Sequence, residues 1–216
     1  MILITGSSGY IAKNLSSELS NLDINHKLVS RTASNNHNLK ISFKRDTNWL
    51  PLLKDVDALV HLAGIAHKKS TLNKHKEYYE STINLFEQSI VSGVKKIIFV
   101  STVGVMGDGR NEAYNIYDKP KPADLYAKFK LKTENILVDM CLNKATKYTI
   151  IRPPLVYGSG SPGNLRRMIF ILKLNIPLPF LGLSKKISIV SISNLVDFII
   201  CCLKNKQSNN RRFYIS

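Results

Sequence analysis

The sequence predicts an α/β protein in which a doubly wound parallel sheet is followed by a small, truncated C-terminal lobe. Short apolar runs bounded by turn residues alternate with segments of helical period over the first two-thirds of the chain. This alternation is typical of a parallel sheet covered by helices on both faces. A glycine-containing turn directly follows the first apolar run. With 216 residues, the chain has the length of one single-core domain and a small second lobe.

The individual elements can be assigned in chain order. Apolar runs predict strands over residues 1–5, 26–30, 39–43, 58–62, 96–101, 148–152, 187–189 and 212–215. Segments of helical period predict right-handed crossover helices over residues 10–21, 49–53, 75–92 and 125–143. Beyond Arg152 the pattern is interrupted by Gly- and Pro-containing segments. We therefore assign residues 1–157 to the sheet domain and residues 158–216 to a partial lobe that is interleaved with the last strands of the sheet.

The chain carries a large excess of positive charge, with 31 Lys and Arg against 15 Asp and Glu and a formal net charge of +16. This charge favours an anionic ligand or surface, because net charge governs steering and solubility rather than topology. Nucleic acid is disfavoured, since the lysines are scattered and no aromatic run interleaves with them. Three Cys residues without metal-ligand spacing exclude an ordinary disulfide framework. His61, His67 and His75 form no triad of fixed geometry, so we predict no metal site.

The longest apolar stretches, residues 168–174 and 195–203, each contain a charged residue. They fall short of the about 20 residues that a helix needs to span a bilayer. The chain begins at Met1 without the basic and cleavable regions of an export signal. We therefore expect a cytoplasmic protein. Residues 165–174, which are apolar with basic ends, are expected in the core of the lobe, and contact with the inner membrane surface is the alternative.

The turn after the first strand has the composition of a phosphate-binding turn. Residues 5–12 read TGSSGYIA, which places Gly6, Gly9 and Ala12 at three-residue spacing where a helix begins. Gly6 permits the tight turn, Gly9 allows a pyrophosphate to approach the backbone, and Ala12 lets the helix pack close to the strand. The N–H groups of the helix N-terminus then face the phosphates. A plain strand-to-helix turn is the alternative, but the position at the first such turn favours a Rossmann-like dinucleotide site.

The end of the second strand bears on which dinucleotide is bound. Residues 29–32 read VSRT, without the carboxylate that would bind the ribose hydroxyls of NAD. The guanidinium of Arg31 can pair with the 2′-phosphate of NADP, and it can equally stack on adenine or lie in solvent. The expected cofactor is NAD or NADP, with NADP slightly favoured.

A Tyr–Lys pair and a strand end that carries hydroxyls predict the chemistry. Tyr126 and Lys130 are four residues apart on a predicted helix, so the phenol and the ammonium share one face. A phenol has an unperturbed pKa of about 10, and we expect the adjacent cation to lower it toward a useful range. Ser101 and Thr102 end a strand at the carboxyl edge of the sheet, where open α/β folds bind ligands. A surface lysine beside a tyrosine at the edge of the core is the alternative.

Together these motifs resemble the extended short-chain dehydrogenase/reductase family, also called the NAD-dependent epimerase/dehydratase family. The matching segments are residues 5–12 (TGSSGYIA), 61–64 (HLAG), 99–102 (FVST), 126–130 (YAKFK) and 151–158 (IRPPLVYG). The resemblance covers essentially the whole chain. It is closest to the bacterial 4-epimerases and 4-ketoreductases that act on nucleotide- or undecaprenyl-diphosphate-linked N-acetylhexosamines in surface-polysaccharide synthesis. That subgroup is indicated by residues 163–165, 176–179 and 192–197.

The resemblance implies a role for each matching residue. Tyr126 would be the acid/base, Lys130 its electrostatic partner and a ribose ligand, and Thr102 a hydrogen-bond partner of the sugar oxygen. The cofactor residues are then Gly6, Ser8, Gly9, Tyr10 and Ile11 at the pyrophosphate, Leu62, Ala63 and Gly64 at the adenosine half, and Arg31. The substrate residues are then Thr102, Asn164, Pro177, Leu178 and Pro179. The family's phosphate-binding Arg falls at Ile187 in this chain, and the adjacent Lys186 is its expected substitute.

Three further departures from the family pattern qualify the assignment. Val103 and Gly104 stand where dehydratases carry Asp-Glu, which disfavours 4,6-dehydration. Tyr78 begins the segment that replaces the family's Asn, so contacts on the nicotinamide side are not carried over. The chain stops at Ser216 inside a predicted strand, whereas family members continue, so a fragment with an open sugar pocket is expected.

The function implied is therefore an NAD(P)-dependent 4-epimerase that acts on a diphosphate-linked sugar by transient oxidation at C4. An NADPH-dependent 4-keto-sugar reductase would use the same residues in one direction. An inactive dinucleotide-binding fragment or regulator is the third hypothesis. The resemblance also suggests a homodimer in which the helices at 75–92 and 125–143 pair across a two-fold axis.

Overall fold

The computed structural model describes residues 1–31, 38–64, 71–107, 114–115, 117–161 and 188–215. The strands of its main sheet are β1 (Ile2–Thr5), β2 (His26–Ser30), β3 (Asn38–Lys40), β4 (Ala58–His61), β5 (Lys96–Val100), β6 (Lys147–Arg152) and β9 (Arg211–Tyr214). They form a seven-stranded parallel sheet in the order β3-β2-β1-β4-β5-β6-β9. A separate parallel pair joins β7 (Leu155–Tyr157) to β8 (Ile189–Ser191).

The strand order reverses between β1 and β4. The chain runs outward from β1 to β3 and then returns to form β4 on the other side of β1. In open α/β sheets the ligand crevice lies at the carboxyl ends of the strands at such a reversal. Thr5 pairs with His61 at this edge. The segments that follow these two residues therefore leave the sheet side by side.

Helices cover both faces of the sheet. They are α1 (Tyr10–Asn21), α2 (Leu50–Leu53), α3 (Leu72–Val91), α4 (Leu125–Cys141) and α5 (Ile192–Lys204), with 3₁₀ turns at Val103–Met106 and Lys206–Ser208. Because side chains alternate along a strand, Ile4 packs in one core with α1 and α5, and Leu3 packs in the other with α2, α3 and α4. No helix within the described part of the chain is long and apolar enough to cross a bilayer.

The predicted parallel sheet is confirmed, but several element boundaries differ from the prediction. β3 ends at Lys40 rather than at residue 43, because Phe43 leaves the sheet and packs edge-on against the Trp49 ring. α3 begins at Leu72 rather than at residue 75, since Thr71 caps it by accepting a hydrogen bond from the Lys74 N–H.

The C-terminal elements differ more from the prediction. The strand predicted at 187–189 lies at Ile189–Ser191 and pairs with β7 outside the main sheet. Neither β7 nor α5 was among the predicted elements. The available signal for α5 was its cap, because the Ser191 side chain accepts a hydrogen bond from the Asn194 N–H at the helix start.

A buried ion pair ties α4 to the sheet. Arg152 Nη2 donates to Glu134 Oε2 at 2.6 Å, and Arg152 Nε lies 3.1 and 3.2 Å from the two carboxylate oxygens. Arg152 Nη1 also donates to the Tyr214 hydroxyl at 2.6 Å. These contacts join α4, β6 and β9, and so fix the helix that carries the Tyr–Lys pair.

Candidate active site

The turn between β1 and α1 depends on the missing side chain of Gly6. Gly6 has a φ of +81°, and a Cβ at this position would lie only 2.6 Å from the backbone N of Ala63. The Gly9 N–H donates to the Gly6 carbonyl at 2.8 Å. Gly9 precedes α1 and provides no side-chain cap. The first N–H groups of the helix are therefore presented as in a phosphate-binding turn.

A cleft of about 120 Å³ opens where the strand order reverses. Its lining residues are Gly6, Ser8, Gly9, Ser30, Arg31, Phe43, Leu62, Ala63, Gly64 and Tyr78. We call it the switch-point cleft. It brings together the predicted glycine turn, the Arg31 position after β2 and the segment after β4. These three segments are separated in the sequence and meet only because β2, β1 and β4 are adjacent in the sheet.

Tyr10 and Ile11, which were predicted at the pyrophosphate, lie outside the lining of this cleft. Both side chains pack against the core between α1 and α5. The Tyr10 hydroxyl would lie 2.7 Å from a Cβ placed on Gly158. What these two residues bring to the turn is their backbone at the start of α1, because their side chains are engaged in packing.

Ser30, Phe43 and Tyr78 line the cleft but were not predicted as site residues. Phe43 and Tyr78 stack with ring centroids 5.7 Å apart and planes inclined by 9°. No motif marks Phe43, which reaches the cleft only because the chain leaves the sheet after β3. Tyr78 was marked only as a departure from the family pattern, and that departure was the one available signal.

Tyr126 and Lys130 lie next to the switch-point cleft, on the far side of Gly64. They lie in the first turns of α4, whose N-terminus is capped by the Asp124 side chain. Lys130 Nζ donates to the Val100 carbonyl at 2.9 Å and lies 5.8 Å from the centroid of the Tyr126 ring. A Cβ on Gly64 would lie 3.6 Å from Lys130 Nζ and 3.9 Å from the Tyr126 hydroxyl. Gly64 therefore lines the cleft and also adjoins both functional groups.

Burial dominates the electrostatics of this pair. Desolvation, followed by the charge of Asp124, raises the pKa of Tyr126 to about 12. Desolvation lowers the pKa of Lys130 to about 7, against the opposing effect of Glu134. The expectation that Lys130 lowers the pKa of the phenol is therefore wrong for this arrangement. Both charged forms lose hydration on burial, and Lys130 Nζ donates to the Val100 carbonyl.

Thr102 stands at the end of β5, beside the start of α4. Its Oγ1 accepts a hydrogen bond from the Gly104 N–H at 3.1 Å. A Cβ on Gly104 would lie 3.4 Å from Thr102 Oγ1 and 3.8 Å from the Cβ of Ala127, the residue after Tyr126. Ser101 is buried, and its hydroxyl has no hydrogen-bond partner among the described residues. The strand-end hydroxyl and the helix with the acid/base pair are therefore neighbours.

The other predicted substrate residues lie outside the described residues; they are Asn164, Pro177, Leu178, Pro179 and Lys186. The apolar segment at 165–174 and His67 lie there as well. His61 and His75 are both buried. Within the ranges that the structure describes, no three His, Cys, Asp or Glu side chains form a group that could hold a metal ion.

The sequence model of the NAD dependent epimerase/dehydratase family matches residues 2–215. The chain belongs to this family. The resemblance inferred from the glycine turn, the strand-end hydroxyls and the Tyr–Lys pair is thereby confirmed.

Known members of the family match nearly the whole chain. A UDP-glucose 4-epimerase from Vibrio cholerae is 34% identical over 230 residues, covering 100% of this chain and 70% of that protein. The N-acetyl-alpha-D-glucosaminyl-diphospho-ditrans,octacis-undecaprenol 4-epimerase from Escherichia coli O157:H7 is 29% identical over 215 residues, covering 94% of this chain and 63% of that protein.

A solved structure confirms the Rossmann-like fold. MoeE5 in complex with UDP-glucuronic acid and NAD aligns with a TM-score of 0.85 and 21% identity, over 100% of this chain and 76% of MoeE5. At this level of identity the similarity establishes the fold alone. The chain thus spans from 63% to 76% of the length of these three proteins.

Proposed function

We propose that this protein is an NAD(P)-dependent 4-epimerase that acts on a diphosphate-linked sugar by transient oxidation at C4. The observation that carries the proposal is the position of Gly64. This residue lines the switch-point cleft, and a Cβ placed on it would lie within contact distance of the Tyr126 hydroxyl and of Lys130 Nζ. The proposed acid/base pair therefore lies next to the cleft that we assign to the dinucleotide. The two relatives described above are both named as 4-epimerases.

The switch-point cleft fits the cofactor that the family implies. A Cβ on Gly6 would collide with Ala63, and a Cβ on Gly9 would lie 3.0 Å from the Gly6 carbonyl oxygen, so the turn depends on two bare backbone positions. Gly6, Ser8 and Gly9 would hold the pyrophosphate, and Leu62 to Gly64 would hold the adenosine half. When bound, the nicotinamide supplies a hydride acceptor and donor for C4.

Tyr126 is the residue that moves the proton in this proposal. Its phenolate takes the proton of the sugar 4-hydroxyl as C4 is oxidised, and the phenol returns a proton when C4 is reduced on its other face. Because burial holds the pKa of Tyr126 at about 12, the phenolate needs a nearby cation. Burial also lowers the pKa of Lys130, to about 7, so in this proposal Lys130 binds a proton as the phenolate forms and its ammonium balances the phenolate charge. Thr102 donates to, or accepts from, the same sugar oxygen through its hydroxyl.

The proposal also includes the group to which the sugar is attached through its diphosphate. A net charge of +16 suits a diphosphate-linked substrate. One relative is named for a UDP-linked sugar and the other for an undecaprenyl-diphosphate-linked sugar. A lipid-linked substrate would also require contact with the inner membrane surface. A homodimer through α3 and α4 is proposed from the family resemblance.

A 4-keto-sugar reductase is the second candidate. Arg31 lines the switch-point cleft at the end of β2, and none of the described lining residues carries a carboxylate. A guanidinium without a competing carboxylate favours the 2′-phosphate of NADP. An NADPH that binds and leaves in each turnover suits a one-way reduction.

Replacement of Tyr126 by Phe tests the proposal. The wild-type protein is incubated with UDP-N-acetylglucosamine, and separately with an undecaprenyl-diphosphate-linked N-acetylglucosamine, and the C4 epimer is measured by NMR. Tyr126→Phe is expected to lose at least about 10²-fold in turnover, since it removes the acid/base group, while the Kd for the dinucleotide stays within about twofold. Tyr117→Phe, at a residue with 91% exposure, is the matched control.

The outcomes separate the three hypotheses. NAD that stays bound through purification, with interconversion of both epimers, supports the epimerase. Preferential binding of NADPH with reduction of a 4-keto sugar supports the reductase. Dinucleotide binding without turnover of either substrate type supports an inactive regulator, and full turnover by Tyr126→Phe contradicts the mechanism.

A further inference from the structure

Tyr78 takes part in two cavities at once. It lines the switch-point cleft together with Arg31 and Gly64. It also lines a smaller cavity between α3 and α4 together with Tyr126 and Lys130. The Tyr78 ring is therefore a wall that the cleft shares with the surroundings of the acid/base pair.

A buried histidine holds the hydroxyl of Tyr78. The Tyr78 oxygen lies 2.8 Å from His61 Nε2, and Thr5 Oγ1 lies 2.8 Å from His61 Nδ1. Burial lowers the pKa of His61 well below its ordinary value, so the ring is neutral. Because a neutral imidazole has one donor and one acceptor nitrogen, one hydroxyl donates to the ring and the other accepts from it.

This chain of hydrogen bonds starts at the sheet itself. Thr5 is the last residue of β1 and His61 is the last residue of β4, and the two strands flank the reversal of strand order. The hydrogen bonds thus connect Tyr78 to the ends of the two strands whose following residues, Gly6 and Leu62, line the cleft. Tyr78, which lies on α3, is thereby held at a fixed position relative to the carboxyl edge of the sheet.

Aromatic contacts fix the plane of the Tyr78 ring. Phe43 stacks on it with centroids 5.7 Å apart and planes inclined by 9°, and the His61 ring lies 6.1 Å away on an inclined plane of 28°. To leave this orientation, Tyr78 would have to break a partly buried hydrogen bond and a stacked contact together. The wall between the two cavities is therefore held by contacts to His61 and to Phe43.

We propose that Tyr78 is a positioning residue for the dinucleotide, and that its ring sets how deeply the dinucleotide lies in the switch-point cleft relative to Tyr126 and Lys130. The hydroxyl acts through His61 to hold the ring, and the ring makes the contact. This proposal takes the identity of the ligand from the proposed function. It assigns a role to the residue at which this chain departs from the family pattern.

Two substitutions at Tyr78 and one control test the proposal. Tyr78→Phe keeps the ring and removes the bond to His61, whereas Tyr78→Ala removes the wall. Thr82→Val is the matched control, because Thr82 Oγ1 lies 3.4 Å from the same His61 nitrogen and Thr82 is absent from the lining of both cavities. For each protein the Kd for NAD and for NADP is measured by titration calorimetry, together with Tm, kcat and the KM for the sugar.

A positioning role predicts a defined pattern. Tyr78→Phe weakens dinucleotide binding about fivefold, the size expected for one hydrogen bond that holds a contact group, and Tyr78→Ala weakens it more than about tenfold. In both variants kcat falls more than the KM for the sugar rises. Thr82→Val lowers Tm but leaves both Kd values within about twofold of wild type.

Other patterns overturn the proposal. If both Tyr78 variants keep the wild-type Kd, or if Thr82→Val weakens binding as much as Tyr78→Phe, Tyr78 is only part of the core. The proposed function fails separately. If the Tyr78 variants bind the dinucleotide more weakly but the wild-type protein turns over no sugar, the positioning role is supported and the epimerase is contradicted. If the wild-type protein turns over sugar but the Tyr78 variants keep its Kd, the epimerase is supported and the positioning role is contradicted.

Discussion

Replacement of Arg152 by Met is expected to destabilise the protein strongly. Arg152 Nη2 and Nε bond the Glu134 carboxylate from the end of β6, and its Nη1 bonds the Tyr214 hydroxyl on β9. Methionine has a similar unbranched stem and lacks the charged head. The substitution therefore tests the ion pair with little change in the volume of the core.

The magnitude follows from the burial of the pair. The Glu134 side chain is 0% exposed and the Arg152 side chain is 4% exposed. Without Arg152, Arg212 Nε remains 3.8 Å from Glu134 Oε2, and the charges of Glu134 and Lys130 also interact. Leaving a buried charge without its partner costs about 3–5 kcal/mol, out of a total stability of about 5–15 kcal/mol. At about 2–4 °C per kcal/mol for a chain of this size, Tm falls by about 6–20 °C.

Urea denaturation followed by circular dichroism measures this effect directly. Arg211→Met, at an exposed position on β9, is the control and is expected to change the free energy of unfolding by no more than about 0.5 kcal/mol. The double variant Arg152→Met/Glu134→Leu is expected to recover at least half of the loss, because it leaves no unpaired charge in the core. The reasoning is refuted if Arg152→Met loses less than about 1 kcal/mol, or if the double variant is no more stable than Arg152→Met alone.

Three further substitutions have defined expectations. Gly6→Ala should lose about 2–5 kcal/mol of stability in urea denaturation. An L residue is strained at a φ of +81°, and its Cβ would lie 2.6 Å from the Ala63 backbone N. A loss below about 1 kcal/mol would contradict the close approach. Gly64→Ala should keep its Tm within about 3 °C of wild type, since its Cβ would make ordinary contacts at 3.6 Å and 3.9 Å. It should nevertheless lower kcat at least about tenfold, because it places a methyl group against Lys130 and Tyr126. Turnover at the wild-type rate would show that this contact is irrelevant. Burial lowers the pKa of Lys130 to about 7 in the folded protein, whereas the pKa of the same side chain in the unfolded chain is about 10.4. Because the unfolded state then binds more protons, the stability of wild type relative to Lys130→Met should rise from pH 7 to pH 9 by up to about 1.4 kcal/mol per pH unit; an equal difference at both pH values would mean that the ammonium is not desolvated.

Local features of the sequence were sufficient for much of the fold and for part of the site. Apolar runs with intervening helical periods predicted the parallel strands, because a strand covered on both faces must be apolar along its whole length. The position of Gly6 after β1 and the four-residue spacing of Tyr126 and Lys130 are also local facts. Backbone geometry over a few residues determines them, so they could be predicted from the sequence without knowledge of the tertiary structure.

Only the tertiary structure decided which separate segments meet and how deeply they are buried. The order of β2, β1 and β4 brings Arg31, Gly6 and Gly64 to one cleft, and departure of the chain from the sheet after β3 adds Phe43. Burial also reversed one electrostatic expectation, since the pKa of Tyr126 is raised rather than lowered. Spacing along a helix determines which groups share a face, but desolvation depends on every element packed around them, and that is a property of the assembled fold.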